Sequence, residues 1–207
     1  MFPSKIDTRY VKRTIKRICQ GDILRDVNVI DFYKRDLSGE LVFEELTLPY
    51  IVVMTQDCDL EHDFNNRMEG SPEKHDKFLR TILICPAYVA IDLRNGDHLR
   101  DLELKMEYFN SGRWSTLKKQ NNTRYHYLEQ DQELQVPELV IDFKHYYAIP
   151  RNTLSYFYNE HYLATINHLF REYLSQRFSN FLSRIGLPEL KGNSEKCSES
   201  TSSLCNE

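Results

Sequence analysis

The segment LPYIVVMTQDCDL, from Leu48 to Leu60, carries the strongest signal for the architecture of this chain. Its first part, Tyr50 to Met54, is an unbroken run of bulky and β-branched apolar residues. Such a run is typical of a strand covered on both faces and is too short for a buried helix. Directly after it, Thr55 to Asp59 place a hydroxyl, an amide, a thiol and two carboxylates side by side. We therefore predict a central strand that carries a functional site at its end; an ordinary polar turn is the alternative interpretation.

The length of 207 residues fits one domain, or one domain with a substantial appendage, and the composition, with 41% hydrophobic and 28% charged residues, is that of a globular protein. A net charge of −4 argues against a molecule that wraps nucleic acid with its whole surface. The five cysteines are scattered and contain no CxxC pair, which argues against a disulfide scaffold or a zinc ribbon. No stretch approaches the roughly 20 apolar residues of a membrane span, and residues 1–20 lack a signal-peptide core. We expect a cytoplasmic protein without membrane association.

The remaining chain divides into four segments by pattern. Residues 1–20 combine a basic composition with apolar residues at helical spacing, which predicts a basic N-terminal helix. Residues 21–158 contain short apolar or alternating runs broken by turn residues, which predict a small antiparallel barrel; the polar stretch 61–77 is expected to be a loop. Residues 159–190 show an apolar stripe at steps of three and four and predict one long amphipathic helix, through whose residues 159–185 a second copy or a partner protein could dock. Residues 191–207 are low in apolar residues and predict a disordered tail. The order of these segments predicts an α+β fold.

Three segments of this chain resemble the MazF/PemK-like superfamily. They are Gly21-Asp22-Ile23, Leu48-Pro49-Tyr50-Ile51-Val52-Val53 and Thr81-Ile82-Leu83-Ile84-Cys85-Pro86. The resemblance implies an SH3-like barrel and a divergent bacterial branch marked by the TQDCDL segment. It also implies metal-independent endoribonuclease activity in a toxin–antitoxin or phage-defence setting. At the family's catalytic Arg and hydroxyl positions this chain has Leu48 and Pro86-Ala87, so the resemblance supports the fold more than the activity.

A catalytic site would form if the end of the central strand faces two later segments, RYHYL and VIDFKH. The candidate catalytic residues are Cys58, Asp59, Arg124, His126, Asp142 and His145. Cleavage of RNA by its own 2′-hydroxyl needs a base, an acid and a cation near the phosphate. His126 or His145 would exchange the protons, and Arg124 would supply the charge.

Further residues are candidates for binding nucleic acid. Tyr125 and Tyr127 could stack on unpaired bases, although tyrosines also cover sheets in a purely structural role. The cations of the N-terminal segment could bind phosphates or could simply face solvent. These cations are Lys12, Arg13, Lys16 and Arg17.

Two other chemistries remain open from the residues alone. A thiolate at Cys58 paired with a histidine would indicate acyl transfer, and a zinc site could draw on Cys58, His62, His75 and Cys85. The chain has neither a phosphate-binding glycine loop nor a dinucleotide fingerprint, so we predict no cofactor. The separation between His62 and His75 is not finger-like, so we also predict no metal. The two functional hypotheses are a PemK-like effector that acts on RNA and a non-catalytic module that binds a ligand or nucleic acid.

Overall fold

The computed structural model describes residues 8–14, 17–70 and 72–184, which form an α+β protein around a curled antiparallel sheet. Its strands are β1 (Tyr10–Val11), β2 (Asp22–Arg35), β3 (Leu41–Val53), β4 (Thr81–Val89), β5 (Tyr125–Leu128), β6 (Leu139–Asp142), β7 (Tyr147–Pro150) and β8 (Tyr162–Ile166). They lie in the order β1-β8-β2-β3-β4-β6-β5, and β7 pairs with β4. The sheet is a half-barrel.

Helices cover the sheet on several sides. They are α1 (Asp57–Glu69), α2 (Ala90–Asn95), α3 (Ser111–Lys118), α4 (Arg151–His161) and α5 (His168–Leu182), with short 3-10 helices at Pro72–Lys77, Arg100–Leu102 and Phe143–His145. One apolar core lies against α5, a second against α1 and α4, and a third against α2 and α3. Within the described ranges, no helix has the length and apolarity that crossing a bilayer requires.

The central strand predicted from Tyr50–Met54 is confirmed as the buried end of β3. Ile51, Val52 and Val53 are fully buried, and β3 pairs with β2 on one side and β4 on the other. Val52 packs in the core under α5, whereas Ile51 and Val53 pack in the core under α1 and α4. The continuous apolar run therefore reflects a strand with a core on each face.

The polar stretch after β3 is mainly helical, which corrects the loop expected at 61–77. Helix α1 begins after Gln56 and ends at Gly70, which has φ +63°. The acidic residues of its first turn suit the positive end of the helix dipole. Of its buried positions only Leu60 is apolar, while Asp63 and Asn66 are polar. This helix lacks the apolar periodicity from which a helix is predicted.

The predicted basic helix at residues 1–20 is wrong for the part that the structure describes. Tyr10–Val11 forms β1, which pairs with Ile166 and Thr165 of β8. Tyr10 is buried, and its hydroxyl donates a hydrogen bond to the carbonyl of Glu129. The strand partner lies some 150 residues further along the chain, so local spacing could not reveal it. Residues 1–7, 15 and 16 lie outside the described part.

The predicted long helix at 159–190 is also wrong, because a strand interrupts it. The described chain forms α4, then β8 at Tyr162–Ile166, then α5. Strand β8 fits between β1 and β2, and Asn167 begins α5 by accepting a hydrogen bond from the His168 amide. The apolar residues of β8 happen to continue the helical spacing of their neighbours, which concealed the strand. Residues 185–190 and the predicted tail at 191–207 lie outside the described residues.

Candidate functional site

Three predicted site residues meet where β5 begins and β6 ends. The two strands are antiparallel, with Tyr125 opposite Asp142. Arg124 therefore lies beside Asp142 and binds it with two hydrogen bonds, of 2.9 Å from Nε and 2.6 Å from Nη2. The 3-10 turn after β6 brings His145 Nδ1 to 3.3 Å from Asp142 Oδ2. Asp142 is fully buried, whereas the Arg124 and His145 side chains remain 24% and 32% exposed.

Partial burial keeps His145 neutral, so that its ring can accept a proton. Burial lowers the pKa of His145, with Asp142 opposing that shift, so the ring is neutral at pH 7. The carboxylate 3.3 Å from Nδ1 favours the neutral tautomer with its proton on Nδ1, which leaves Nε2 as the basic nitrogen. The pKa of Arg124 is raised, chiefly by its hydrogen bonds to Asp142. The result is an oriented base beside a fixed cation.

A second histidine, which the sequence reasoning missed, interacts electrostatically with the same cluster. Burial lowers the pKa of His98, while Asp142 and Arg124 act on it in opposite directions. Its ring lies 4.8 Å from that of Tyr88 between centroids, tilted by 59°, and neither ring nitrogen has a hydrogen-bond partner. It follows α2 in a segment without a motif, so nothing in the sequence marked it.

Arg124 also lines a groove of about 320 Å³ that opens to solvent. Arg113 of α3 lies in the same groove and forms an exposed ion pair with Glu107. Asn122 also lines this groove, and its side chain accepts hydrogen bonds from the backbone amides of Arg124 and Tyr125. Two guanidinium groups in one groove can bind a phosphate if it displaces Glu107 from Arg113.

Cys58 and Asp59 lie elsewhere, in the first turn of α1. Cys58 is exposed, and its Sγ lies 3.7 Å from Gln56 Oε1 and 3.8 Å from Asp59 Oδ1. Across the described residues, no hydrogen bond or ion pair connects this turn to Arg124, Asp142 or His145. The six predicted catalytic residues therefore do not form one site.

Asp57 has more side-chain hydrogen bonds and ion pairs than any other residue of the TQDCDL segment. Its carboxylate accepts two hydrogen bonds of 3.2 Å from Arg17, lies 3.3 Å from Arg171 of α5, and accepts a third bond from the Gln20 amide. Burial alone would raise the pKa of Asp57, but Arg17, Arg171 and the Gln20 amide together outweigh it, and the pKa is lowered. Asp57 thus ties the N-terminal segment and α5 to the end of the central strand.

His126 is buried on the other side of the sheet, against α5. Its ring lies 5.9 Å from that of Tyr173 and 6.2 Å from that of Phe143. Burial, together with Arg177 and Arg9, lowers the pKa of His126 to about 3. A neutral ring with so low a pKa is a weak base, so this position suits packing better than proton transfer.

Most of the residues predicted to bind nucleic acid contact other parts of this chain instead. Tyr125 and Tyr127 are buried in the core under α2 and α3, which leaves no ring face for a base. Lys12 donates to the carbonyl of Leu163 at 2.6 Å and lies over the Tyr162 ring. Of the other predicted cations, Arg17 binds Asp57, the Arg13 amide donates to the Tyr162 hydroxyl, and Lys16 lies outside the described residues.

Comparison with protein-family models, curated proteins and solved structures finds no match to this chain. The resemblance to the MazF/PemK-like superfamily stays a prediction. Among the described side chains, no three His, Cys, Asp or Glu residues are grouped so that they could hold a metal ion.

Proposed function

We propose that this protein acts on RNA as a PemK/MazF-like, metal-independent endoribonuclease with an SH3-like half-barrel. The observation that carries the proposal is the cluster of Arg124, Asp142 and His145, in which a buried carboxylate orients a neutral histidine beside a guanidinium group. The adjoining groove with Arg113 supplies space and charge for the phosphate backbone.

The chemistry follows from that arrangement. His145 Nε2 accepts the proton of a 2′-hydroxyl as its oxygen forms a bond to the neighbouring phosphorus. The bond from phosphorus to the 5′-oxygen breaks, the leaving oxygen takes a proton from water, and a 2′,3′-cyclic phosphate remains. Arg124 stabilises the extra negative charge on the phosphorane. Asp142 touches no substrate and acts as the positioning residue for both side chains.

The test is cleavage of a 5′-labelled RNA in EDTA. We expect His145→Gln to slow cleavage by about 100-fold or more, since general base catalysis contributes that much. Arg124→Lys should also slow it, because lysine cannot bind Asp142 with two parallel hydrogen bonds. Cys58→Ala and His126→Phe are the controls and should cleave at the wild-type rate. Undiminished cleavage by His145→Gln would refute the mechanism.

A non-catalytic binding module is the second candidate function. Two observations favour it. Cys58 lies apart from the Arg124 cluster. The chain also has Leu48 and Pro86-Ala87 where the MazF/PemK-like family has its catalytic Arg and hydroxyl residues. In that case labelled RNA stays intact while its fluorescence anisotropy rises with protein. Arg113→Gln combined with Arg124→Gln should weaken binding and reduce its dependence on salt.

A partner surface on residues 159–185 would use the outer face of α5 in this second function. Leu169 and Tyr173 on that helix are 67% and 44% exposed. Tyr173→Glu should abolish docking of a partner there without lowering RNA affinity, and unchanged docking would exclude α5.

A further inference from the structure

The outer half of the β2–β3 hairpin, Asp26–Leu46, extends beyond the rest of the sheet; we call it the arm. Strand β2 pairs with β8 only at Asp22–Leu24, and β3 pairs with β4 only at Tyr50–Val53. Across the described residues, the arm strands therefore pair only with each other. At about 3.3 Å per residue, the ten β2 residues of the arm extend roughly 33 Å.

The arm exposes large apolar side chains on both strands. Tyr33 is 67% exposed and lies opposite Phe43, which is 52% exposed; Ile30 and Leu41 on the same two strands are also exposed. Only the base of the arm packs in the core under α1 and α4, through Val27 and Val29. A two-stranded hairpin with no core beneath its outer part is marginally stable in water, and free strand edges with apolar side chains are templates for a further strand. These features indicate that another strand pairs with the arm.

The charges of the arm differ between its two edges. Within the described residues, no ion pair involves Asp31, Lys34 or Arg35 of β2, and Asp31 lies where the register with β3 shifts. The β3 edge has two adjacent acids, Glu44 and Glu45, and no base. With six carboxylates and two cations over Asp26–Leu46, the arm is unsuited to nucleic acid.

We propose that two copies of this chain associate by pairing their β2 arm edges antiparallel about a two-fold axis. This arrangement brings Asp31 of each copy beside Lys34 and Arg35 of the other, so that opposite charges meet twice. It also gives the exposed apolar side chains cross-strand neighbours in a four-stranded ribbon. The two β3 edges lie about 14 Å apart in that ribbon, where their glutamates are screened. Pairing through β3 would instead oppose Glu44 and Glu45 to their own copies.

The test is a charge reversal followed by sedimentation equilibrium of the full chain at about 0.15 M salt, where the Debye length is about 8 Å. Asp31→Lys should raise the Kd of the dimer by about tenfold or more, because like charges then face each other in two places. The double variant Lys34→Asp/Arg35→Asp should weaken self-association similarly. An equimolar mixture of the two variants should form a heterodimer with a Kd near that of the wild-type dimer. Glu44→Lys/Glu45→Lys, on the opposite edge, is the matched control and should dimerise like wild type.

Three outcomes would overturn the proposal. They are a wild-type chain that is monomeric at all concentrations, a dimer that Asp31→Lys leaves unchanged, and a dimer that only Tyr173→Glu dissociates. Recovery of dimers in the mixture shows that both variants are folded, so a folding defect cannot imitate the expected result. RNA cleavage plays no part in this experiment, which makes it independent of the proposed function.

Discussion

At the scale of single residues, two buried titratable side chains give stability opposite dependences on pH. The folded pKa of His126 is about 3, below its ordinary value, so the unfolded chain binds more protons and stability rises with pH up to about 6.5. The folded pKa of Asp22 is raised to about 6 by burial, despite its hydrogen bonds from Thr165, Cys19 and Tyr158. The folded chain then binds more protons, and stability falls as pH rises from about 4 to about 6.

Replacing His126 by Phe separates these two effects. The phenyl ring fits between Phe143 and Tyr173 and cannot be protonated. Between pH 7.5 and pH 4.5 we expect the wild type to lose about 2–3 kcal/mol more unfolding free energy than the variant. This difference comes from the protonation of His126, which occurs in the unfolded chain but not in the folded one. Urea unfolding at the two pH values measures the difference. Equal losses in both proteins would show that His126 is protonated without unfolding.

Replacing Asp142 by Asn tests the ion pair at the candidate site. The variant removes the negative charge that pairs with Arg124 and lies 3.3 Å from His145 Nδ1, and we expect a loss of roughly 3 kcal/mol, at the low end for a buried pair because Arg124 is partly exposed. Thermal and urea unfolding measure it. Glu107→Gln removes the carboxylate from another arginine at the surface and should leave the melting temperature unchanged. Similar losses in both variants would contradict the assignment.

At the scale of elements, Gly96 and Gly39 have nearly the same positive φ angle but different surroundings. Gly96 has φ +82° and Gly39 has φ +86°. A Cβ at Gly96 would lie 2.3 Å from the carbonyl oxygen of Met106, whereas a Cβ at Gly39 would meet nothing within 4 Å. Gly39→Ala should cost about 1 kcal/mol from the backbone alone. Gly96→Ala should cost at least about 2 kcal/mol more, because the loop at Met106 must move. Chemical denaturation of both variants measures the two losses of unfolding free energy. Equal losses would show that the loop at Met106 moves without cost and would contradict this prediction.

The sequence allows some of these elements to be predicted and hides others for physical reasons. The apolar run at Tyr50–Met54 and the turn at Gly39 are local signals, and both elements are present. Helix α1 buries Asp63 between Arg67 and Arg151, so its inner face is held by charge and lacks an apolar stripe. Strands β1 and β8 exist because they pair with each other across the length of the chain, and no local window contains that information.

The candidate site was predictable only in part, for the same reason. Arg124, Asp142 and His145 meet because their segments form neighbouring antiparallel strands, which the short apolar runs suggested. The grouping with Cys58 required a contact between the end of β3 and β5, and the sheet places β4 and β6 between those strands. His98 had no pattern to distinguish it.

At the scale of the whole molecule, hydrogen exchange should distinguish the arm from the rest of the sheet. In dilute protein we expect the amides of Phe32–Phe43 to exchange faster than those of Ile51–Val53, because this outer part of the arm has no buried side chains and two open edges. Raising the protein concentration should slow exchange in the arm of the wild type but not of Asp31→Lys. Mass spectrometry of peptic fragments resolves these segments. An arm that exchanges slowly at every concentration would contradict this prediction.

The insertion of β8 between β1 and β2 has a consequence for the synthesis of this protein. Thr165 follows Asp22 by 143 residues, yet its hydroxyl donates to that carboxylate in the folded sheet. A ribosome adds about 5–20 residues per second, so Thr165 emerges roughly 7–30 s after Asp22. Throughout that interval the nascent chain carries β2 with an unpaired edge. A chain truncated before Tyr162 would keep that edge open permanently, and it would be a substrate for aggregation or for the cell's proteases.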